Sequence, residues 1–326
     1  MPSIQEQKRR ACDAFEKHHR DLNNAIGKCC AGTGGNLIYA IDFFREGASY
    51  YKVTEKIDIS TLPCSEISKL PLDKVLLIAK SAVHSIRILH GLKIVHGDLK
   101  PDNLPIKEAM IGYVVKLIDF DDSYFECNPP SDRENLVGTP EYYSPEQAAY
   151  IMDEDEEIEG NTLTCKSDIF TLGIIFCEYF TGEKPILPGE FKNTWTCVNE
   201  GHSVSFSKRL PIQIESLIQK MLSKDPENRP TIGEVFNVLK DVKPEYADSG
   251  FSTTSSDKPA VKKPALRFGP GVRPVRTSGS VTGGRTETTG TTKSTFRSSS
   301  TDSETKVEPK VGASKLRGSG LKIADK

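Results

Sequence analysis

The sequence predicts an α+β fold: a small N-terminal part holding a helix and a β-hairpin, a mainly helical body, and a C-terminal tail that stays disordered. Three observations carry this. Residues 37–44 and 50–57 are rich in β-branched and aromatic side chains and flank Arg45, Glu46, Gly47 and Ala48, the pattern of a hairpin. From Leu72 onward apolar residues recur at three- and four-residue intervals, the spacing that puts them on one face of a helix. Beyond about residue 245 that periodicity stops, and residues 251–326 hold 24 Ser or Thr among many Gly, Pro and Lys, too little apolar surface to offset the entropy of ordering the chain.

Along the chain, residues 8–26 place Phe15, Leu22 and Ile26 on one helical face, and Gly27 is positioned to end that helix. A Gly-rich connection at 32–35 leads into the hairpin. Residues 72–90 form the first core-facing helix of the body, through Val75, Leu76, Ile78, Ala79, Val83, Ile86 and Leu89. Residues 169–180 are apolar almost all round, as a buried helix is. Residues 212–222 and 232–239 continue the helical pattern, with stops at Lys224-Asp225-Pro226 and Lys243-Pro244. The acidic run at 153–159 has no apolar periodicity and reads as a solvated loop rather than a metal site, because consecutive like charges repel and stay hydrated.

With 326 residues and 37% hydrophobic content, the chain can bury one substantial core or two small lobes sharing an interface. The net charge of -2 conceals an asymmetry. Residues 251–326 carry 15 Lys or Arg against 6 Asp or Glu, and residues 1–250 carry 28 against 39. The basic tail suits an acidic partner; nothing indicates nucleic-acid binding by the folded part. Eight cysteines are scattered without a C-x-x-C pair or a His at ligand spacing, which predicts buried reduced thiols. No stretch has the order of a signal peptide, and no apolar run approaches the ~18 residues that a membrane span needs. The expected setting is therefore reducing, cytoplasmic or nuclear, away from membranes.

The residues that carry chemistry begin at Ile94-Val95-His96-Gly97-Asp98-Leu99-Lys100-Pro101-Asp102-Asn103. Phosphoryl transfer needs a carboxylate to orient a hydroxyl and accept its proton, a cation for the transferred phosphate and oxygen ligands for a metal ion. This run resembles the catalytic loop of eukaryotic-type protein kinases, and by that resemblance Asp98, Lys100 and Asn103 fill those roles. Sixteen residues after Asn103 comes Leu117-Ile118-Asp119-Phe120-Asp121, an apolar strand ending in an acid and similar to the family's D-F-G segment, so Asp119 and Asn103 are the implied Mg²⁺ ligands. Val137-Gly138-Thr139-Pro140-Glu141-Tyr142-Tyr143-Ser144-Pro145-Glu146 looks like the end of an activation segment. Lys166-Ser167-Asp168 and Asp225-Pro226-Glu227-Asn228-Arg229-Pro230 follow in the family's order.

The resemblance implies a bilobal kinase-like fold with a truncated small lobe (1–57), a mainly helical large lobe (58–245) and a disordered basic Ser/Thr-rich tail (246–326). It further implies that Asp168 bonds the backbone of the catalytic loop and that Glu146 pairs with Arg229. Thr54, Glu55 and Ile57, with Lys100, Asn103 and Asp119, would bind the ATP. Lys100 and Thr139 point to Ser/Thr rather than Tyr specificity.

Several positions depart from the family pattern. No G-x-G-x-x-G strand pair or strand-borne lysine precedes Phe15, and the glutamate expected on the first helix falls near His18. Gly97 replaces the Arg of H-R-D, which removes the usual partner of a phosphorylated activation segment. Asp121 replaces the Gly of D-F-G, where glycine allows positive φ. Pro105 removes a backbone donor from a strand expected to line the nucleotide floor. Ser123, Tyr124, Ser131 and Thr139 read as exposed loop residues, and His84, His90 and His202 as packing or surface residues. Three functional readings stay open: an ATP-dependent Ser/Thr kinase acting on proteins, with weak or absent turnover, or a fragment of one whose complete form has the missing strands; a pseudokinase scaffold or protein-binding module; and an interaction protein whose basic tail contacts acidic partners, nucleic acid or microtubules.

Overall fold

The computed structural model describes residues 3–30, 35–47, 49–56, 62–110, 112–130, 133, 136, 138–153 and 157–243, and the backbone of 314–315. Ile57, Ser131, Val137 and, apart from 314–315, the tail lie outside the described residues.

The first helix, α1 (Ile4–Cys30), buries His19, Leu22 and Ile26 and holds its exposed face with the i,i+4 pairs Arg10–Glu6, Arg20–Glu16 and Lys17–Asp21. It runs past Gly27, which does not end it. A Cβ at Gly27 would stand 3.0 Å from the Tyr39 ring, so this glycine serves the approach of helix and loop. The hairpin follows as β1 (Ala40–Glu46) and β2 (Ser49–Thr54), antiparallel, with an irregularity between Ala40 and Asp42. It is offset from the expected strands because Leu37 instead bridges, in parallel, to Leu117. Phe43 and Tyr50 stack at 5.6 Å between ring centres and both meet Phe15 of α1, which fixes the hairpin on that helix. The backbone of β7 (Ser314–Lys315) pairs antiparallel with the other edge of β2.

The body is helical, as expected: α2 (Cys64–Ile67), α3 (Leu72–Gly91), α4 (Pro145–Met152), α5 (Cys165–Thr181), α6 (Thr194–Asn199), α7 (Ile212–Met221) and α8 (Ile232–Asp241). Between α3 and α4 lie β3 (Ile94–Val95), paired with β6 (Tyr124–Phe125), and the hairpin of β4 (Ile106–Ala109) and β5 (Gly112–Val115). Periodicity misses α2, α4 and α6, each too short to repeat the pattern, though caps mark one of them: Ser144 accepts from Gln147 N, and Pro145 opens α4. The ends of α5 and α8 are also written in the sequence. Gly182 (φ 90) closes α5 with its N–H on Glu178 O, and Thr231 and Glu234 form a capping box on α8.

One apolar cluster runs from Leu22 and Ile26 of α1 through α3, Leu117 and Phe120 to α5, α7 and α8. The small N-terminal part thus shares the core of the helical body rather than owning one. A smaller cluster of Val95, Tyr124, Leu136, Tyr150 and Leu163 lies under the segment after β6. All eight cysteines are free thiols, but only Cys177 and Cys197 are buried, and Cys127 is exposed, because most fall near element ends. Among the described residues no helix is long and apolar enough to cross a membrane.

Candidate active site

The loop between β3 and β4 is held from below by α5. Asp168, in the first turn of that helix, accepts the backbone N–H of His96 (2.8 Å) and of Gly97 (3.3 Å), and the Nε2–H of His90 (2.9 Å). Its carboxylate is nearly fully buried, so these donors replace the water it gave up. His90, expected to be a packing or surface residue, is therefore a partner of that carboxylate. His96 donates from Nε2 to the carbonyl of Ile118 at 3.0 Å, tying the loop to the segment that carries Asp119.

Above this support the predicted catalytic residues converge. Asp98 Oδ2 accepts from Lys100 Nζ at 2.6 Å, and Asp98 Oδ1 from the Thr139 hydroxyl at 2.8 Å. Lys100 also reaches Thr139 Oγ1 at 3.1 Å. Asn103 donates its amide N–H groups to the carbonyl (2.7 Å) and carboxylate (3.2 Å) of Asp98, which leaves its Oδ1 as the acceptor a hard cation requires. Ile118 N bonds the carbonyl of Asn103 at 3.1 Å, so Asn103 and the Asp119 segment are joined by backbone.

Asp119 has φ 63, a left-handed conformation costly for a residue with a Cβ. Asp121, in the place of the family's glycine, does not have positive φ; the left-handed residue lies two positions earlier, on the acid itself. The expected strand ending at Asp119 is also absent, because β5 stops at Val115 and Leu117 makes only its bridge to Leu37. Pro105 stands just ahead of β4 and uses its carbonyl to accept from Lys116 N, so its missing N–H leaves the β4–β5 ladder intact.

Gly97 shows why arginine cannot stand there. Its φ is 82, and a Cβ would lie 2.3 Å from the backbone oxygen of Asp122. Gln147 Nε2 caps the Gly97 carbonyl at 2.6 Å. Gly97→Ala should destabilise the protein by about 2–4 kcal/mol, the sum of left-handed strain and the forced displacement, read as a lower urea midpoint. A loss below about 0.5 kcal/mol would show that the loop relaxes freely.

The first helix meets the site through His18, whose Nε2 donates to the Ser123 carbonyl at 2.9 Å. Ser123 and Tyr124, expected as exposed loop residues, are buried; Ser123 Oγ donates to the His96 carbonyl at 2.9 Å. Beside His18, burial and the neighbouring Lys52 push the His19 imidazole down to about 3, so it is neutral near pH 7. Lys52, from β2, was not singled out by the sequence reading. Its ammonium pairs with Asp121, and its side chain is only 11% exposed. The one signal was a lysine inside the short run Tyr50-Tyr51-Lys52-Val53. Thr54 and Glu55 lie exposed at the end of β2, where Glu55 pairs with Lys116 at 3.7 Å.

Among the described residues no three His, Cys, Asp or Glu side chains cluster as a self-sufficient metal cage. The donor set is a carboxylate at Asp119 and an amide oxygen at Asn103, both hard oxygens. That fits a divalent cation held partly by substrate phosphates rather than by a complete protein shell.

Residues 16–239 match the family described as the protein kinase domain. The chain is 32% identical to Serine/threonine-protein kinase A of Synechocystis sp. over 143 residues, 42% of this chain and 26% of that protein. It is 28% identical to Mitogen-activated protein kinase kinase 2 of Arabidopsis thaliana over 211 residues, 61% and 54% respectively. It is 31% identical to Mitogen-activated protein kinase kinase kinase 7 of Bos taurus over 160 residues, 47% and 25%. The chain thus spans about a quarter to a half of the length of these relatives. With more than half of its own residues matched and the catalytic loop, the Asp119 segment and the Glu146–Arg229 pair in the family's order, the chain belongs to the protein kinase domain family.

Proposed function

We propose that this protein is an ATP-dependent protein kinase that phosphorylates serine and threonine hydroxyls, using Mg²⁺ at Asp119 and Asn103. The observation that carries the reading is the Asp98 carboxylate, oriented from three sides by Lys100, Thr139 and Asn103. These four polar side chains have no packing role as a group, and their arrangement suits proton acceptance beside a cation. Asp98 would take the proton of the acceptor hydroxyl, and Lys100, already on Asp98, would face the phosphoryl oxygens as charge moves between donor and acceptor. The bound metal ion would neutralise phosphate charge. Use of ATP and a divalent metal is general in the family.

A cavity of about 580 Å³ adjoins Lys100 and Thr139, lined also by Asp102, Glu141, Tyr142 and Glu178, and would give an acceptor segment access to Asp98. Thr54 and Glu55, with Ile57 beyond the described residues, are proposed to meet the base of the nucleotide through backbone groups. The limits we propose for the parts are 1–57 and 58–245, followed by the tail.

Mg-ATP titrated against the thermal stability of the full chain tests nucleotide binding. A ligand that binds only the native state stabilises it by about 2.7 kcal/mol at a hundredfold excess over Kd. We expect a saturable, Mg-dependent rise in Tm that is lost in Asp119→Asn. A folded protein with no shift at millimolar Mg-ATP would leave the scaffold reading.

A further inference from the structure

A nucleoside triphosphate brings about four negative charges into a cleft at neutral pH, and the protein must meet them with donors that water does not already occupy. Lys100 is committed to Asp98 and Thr139, beside the acceptor hydroxyl. Strand β2 offers a second cation, set among acids of the Asp119–Asp122 segment. Lys52 lies between the hairpin and the Asp119–Asp122 segment, with an exposure of 11%, and pairs with Asp121. The buried Oδ1 of Asp121 makes no directed hydrogen bond, so the ammonium is its counter-charge.

Strand alternation puts Tyr50, Lys52 and Thr54 on one face of β2, where Tyr50 stacks on Phe43 and meets Phe15 of α1 at a tilt. The Lys52 ammonium reaches the Asp119–Asp122 segment and pairs there with Asp121. Burial pushes its amine below the usual lysine range, while Asp119 and Asp122 act in the opposite direction. On α1, His19 is held neutral by burial and by Lys52, beside His18. A lysine in a strand that only needed to pack would not be set among three carboxylates and desolvated.

We infer that Lys52 is the phosphate-facing cation of this protein's nucleotide site, supplied from β2 and held in place by Asp121. This rests on the proposed nucleotide binding. It also gives Asp121 a purpose: to fix the ammonium beside Asp119. In the complex, Lys52 would turn one N–H from Asp121 to a phosphate oxygen. Its compact, rotatable ammonium allows both bonds at once.

The test uses the full chain and an acyl phosphate of ATP, whose acyl group passes to an amine lying at the phosphates with release of the nucleotide. Mass spectrometry of the digested protein then locates the label. We expect Lys52 to be labelled, and the label to be suppressed by excess Mg-ATP. Lys52→Met should raise the Kd for Mg-ATP about tenfold or more, as expected for loss of one charge-assisted bond, with Lys52→Arg recovering part of it.

Because Lys52→Met leaves the buried Oδ1 of Asp121 without its counter-charge, Lys52→Met combined with Asp121→Asn provides a charge-balanced variant. If that double variant binds Mg-ATP as the wild type does, or if the label falls only on Lys100, the pair is structural and the inference is overturned. Wild-type protein that is folded, unlabelled and unaffected by Mg-ATP would overturn the nucleotide reading and this role together. Binding that depends on Asp119 but not on Lys52 overturns this role alone.

Discussion

Replacing Asp98 by Asn should slow phosphoryl transfer by about 10²–10⁴-fold while leaving the fold intact. The amide keeps the shape of the carboxylate: its oxygen can accept from Lys100 and Asn103 while its NH₂ donates to the Thr139 hydroxyl oxygen, so the loop should hold its position. What it cannot do is accept a proton. Lys100, with 26% of its side chain exposed, would lose its charged partner but not its hydration, so the stability cost should be small beside the kinetic one. The check is the transfer rate at saturating Mg-ATP, with Tm measured on the same sample. A rate within threefold of wild type at unchanged Tm would remove Asp98 from the proton's path.

Arg229→Met should be the most destabilising of the substitutions considered, by about 3–5 kcal/mol. Arg229 is fully buried. Its guanidinium grips Glu146 bidentately at 2.6 and 2.8 Å, also donates to the carbonyls of Ser223 (2.8 Å), Lys166 (2.9 Å) and Lys224 (2.9 Å), and lies 5.0 Å from the centre of the Phe170 ring. Truncation strands one buried carboxylate and three carbonyls at once. At roughly 2–4 °C per kcal/mol for a unit of this size, Tm should fall by roughly 10 °C.

Pairing it with Glu146→Leu should cost less than the two single losses added, because no charge is then left unpaired. A fall under about 2 °C for Arg229→Met would mean that solvent reaches the site and replaces the bonds. The pair spans α4 and the turn after α7, so its loss should also loosen the support under Thr139 and the acceptor side of the cleft.

The two predictions draw on features the sequence disclosed unequally. The grouping of Asp98, Lys100 and Asn103, and the placing of Asp119 beside them, was legible through the resemblance to the kinase catalytic loop and D-F-G segment. The roles of Asp168, Glu146 and Arg229 were legible only through the family resemblance, and the structure forms the bonds that it implied. The long helices α3, α5, α7 and α8 followed from apolar periodicity, to within a few residues at each end.

The failures were physical as well. Gly27 looked like a stop because the Tyr39 ring that needs its bare backbone is distant in sequence. The resemblance assigned Asp121 a glycine's place, where positive φ is allowed, and the backbone puts the left-handed residue at Asp119 instead. Ser123 looked exposed because nothing local announces its bond to His96, and His90 looked idle because its carboxylate lies in another helix. Lys52 was hidden for the same reason: its meaning comes from Asp121, on a segment that no periodicity links to β2.

The most direct test of the account is phosphoryl transfer itself: full-chain protein, ATP labelled at the γ-phosphate, Mg²⁺ and a protein acceptor such as casein, with acid hydrolysis to identify the labelled residue and Asp98→Asn in parallel. The account predicts label on serine and threonine, dependent on Mg²⁺ and lost in the Asp98 variant. Label that persists in Asp98→Asn, label on tyrosine alone, or none from a folded protein that binds Mg-ATP would contradict it.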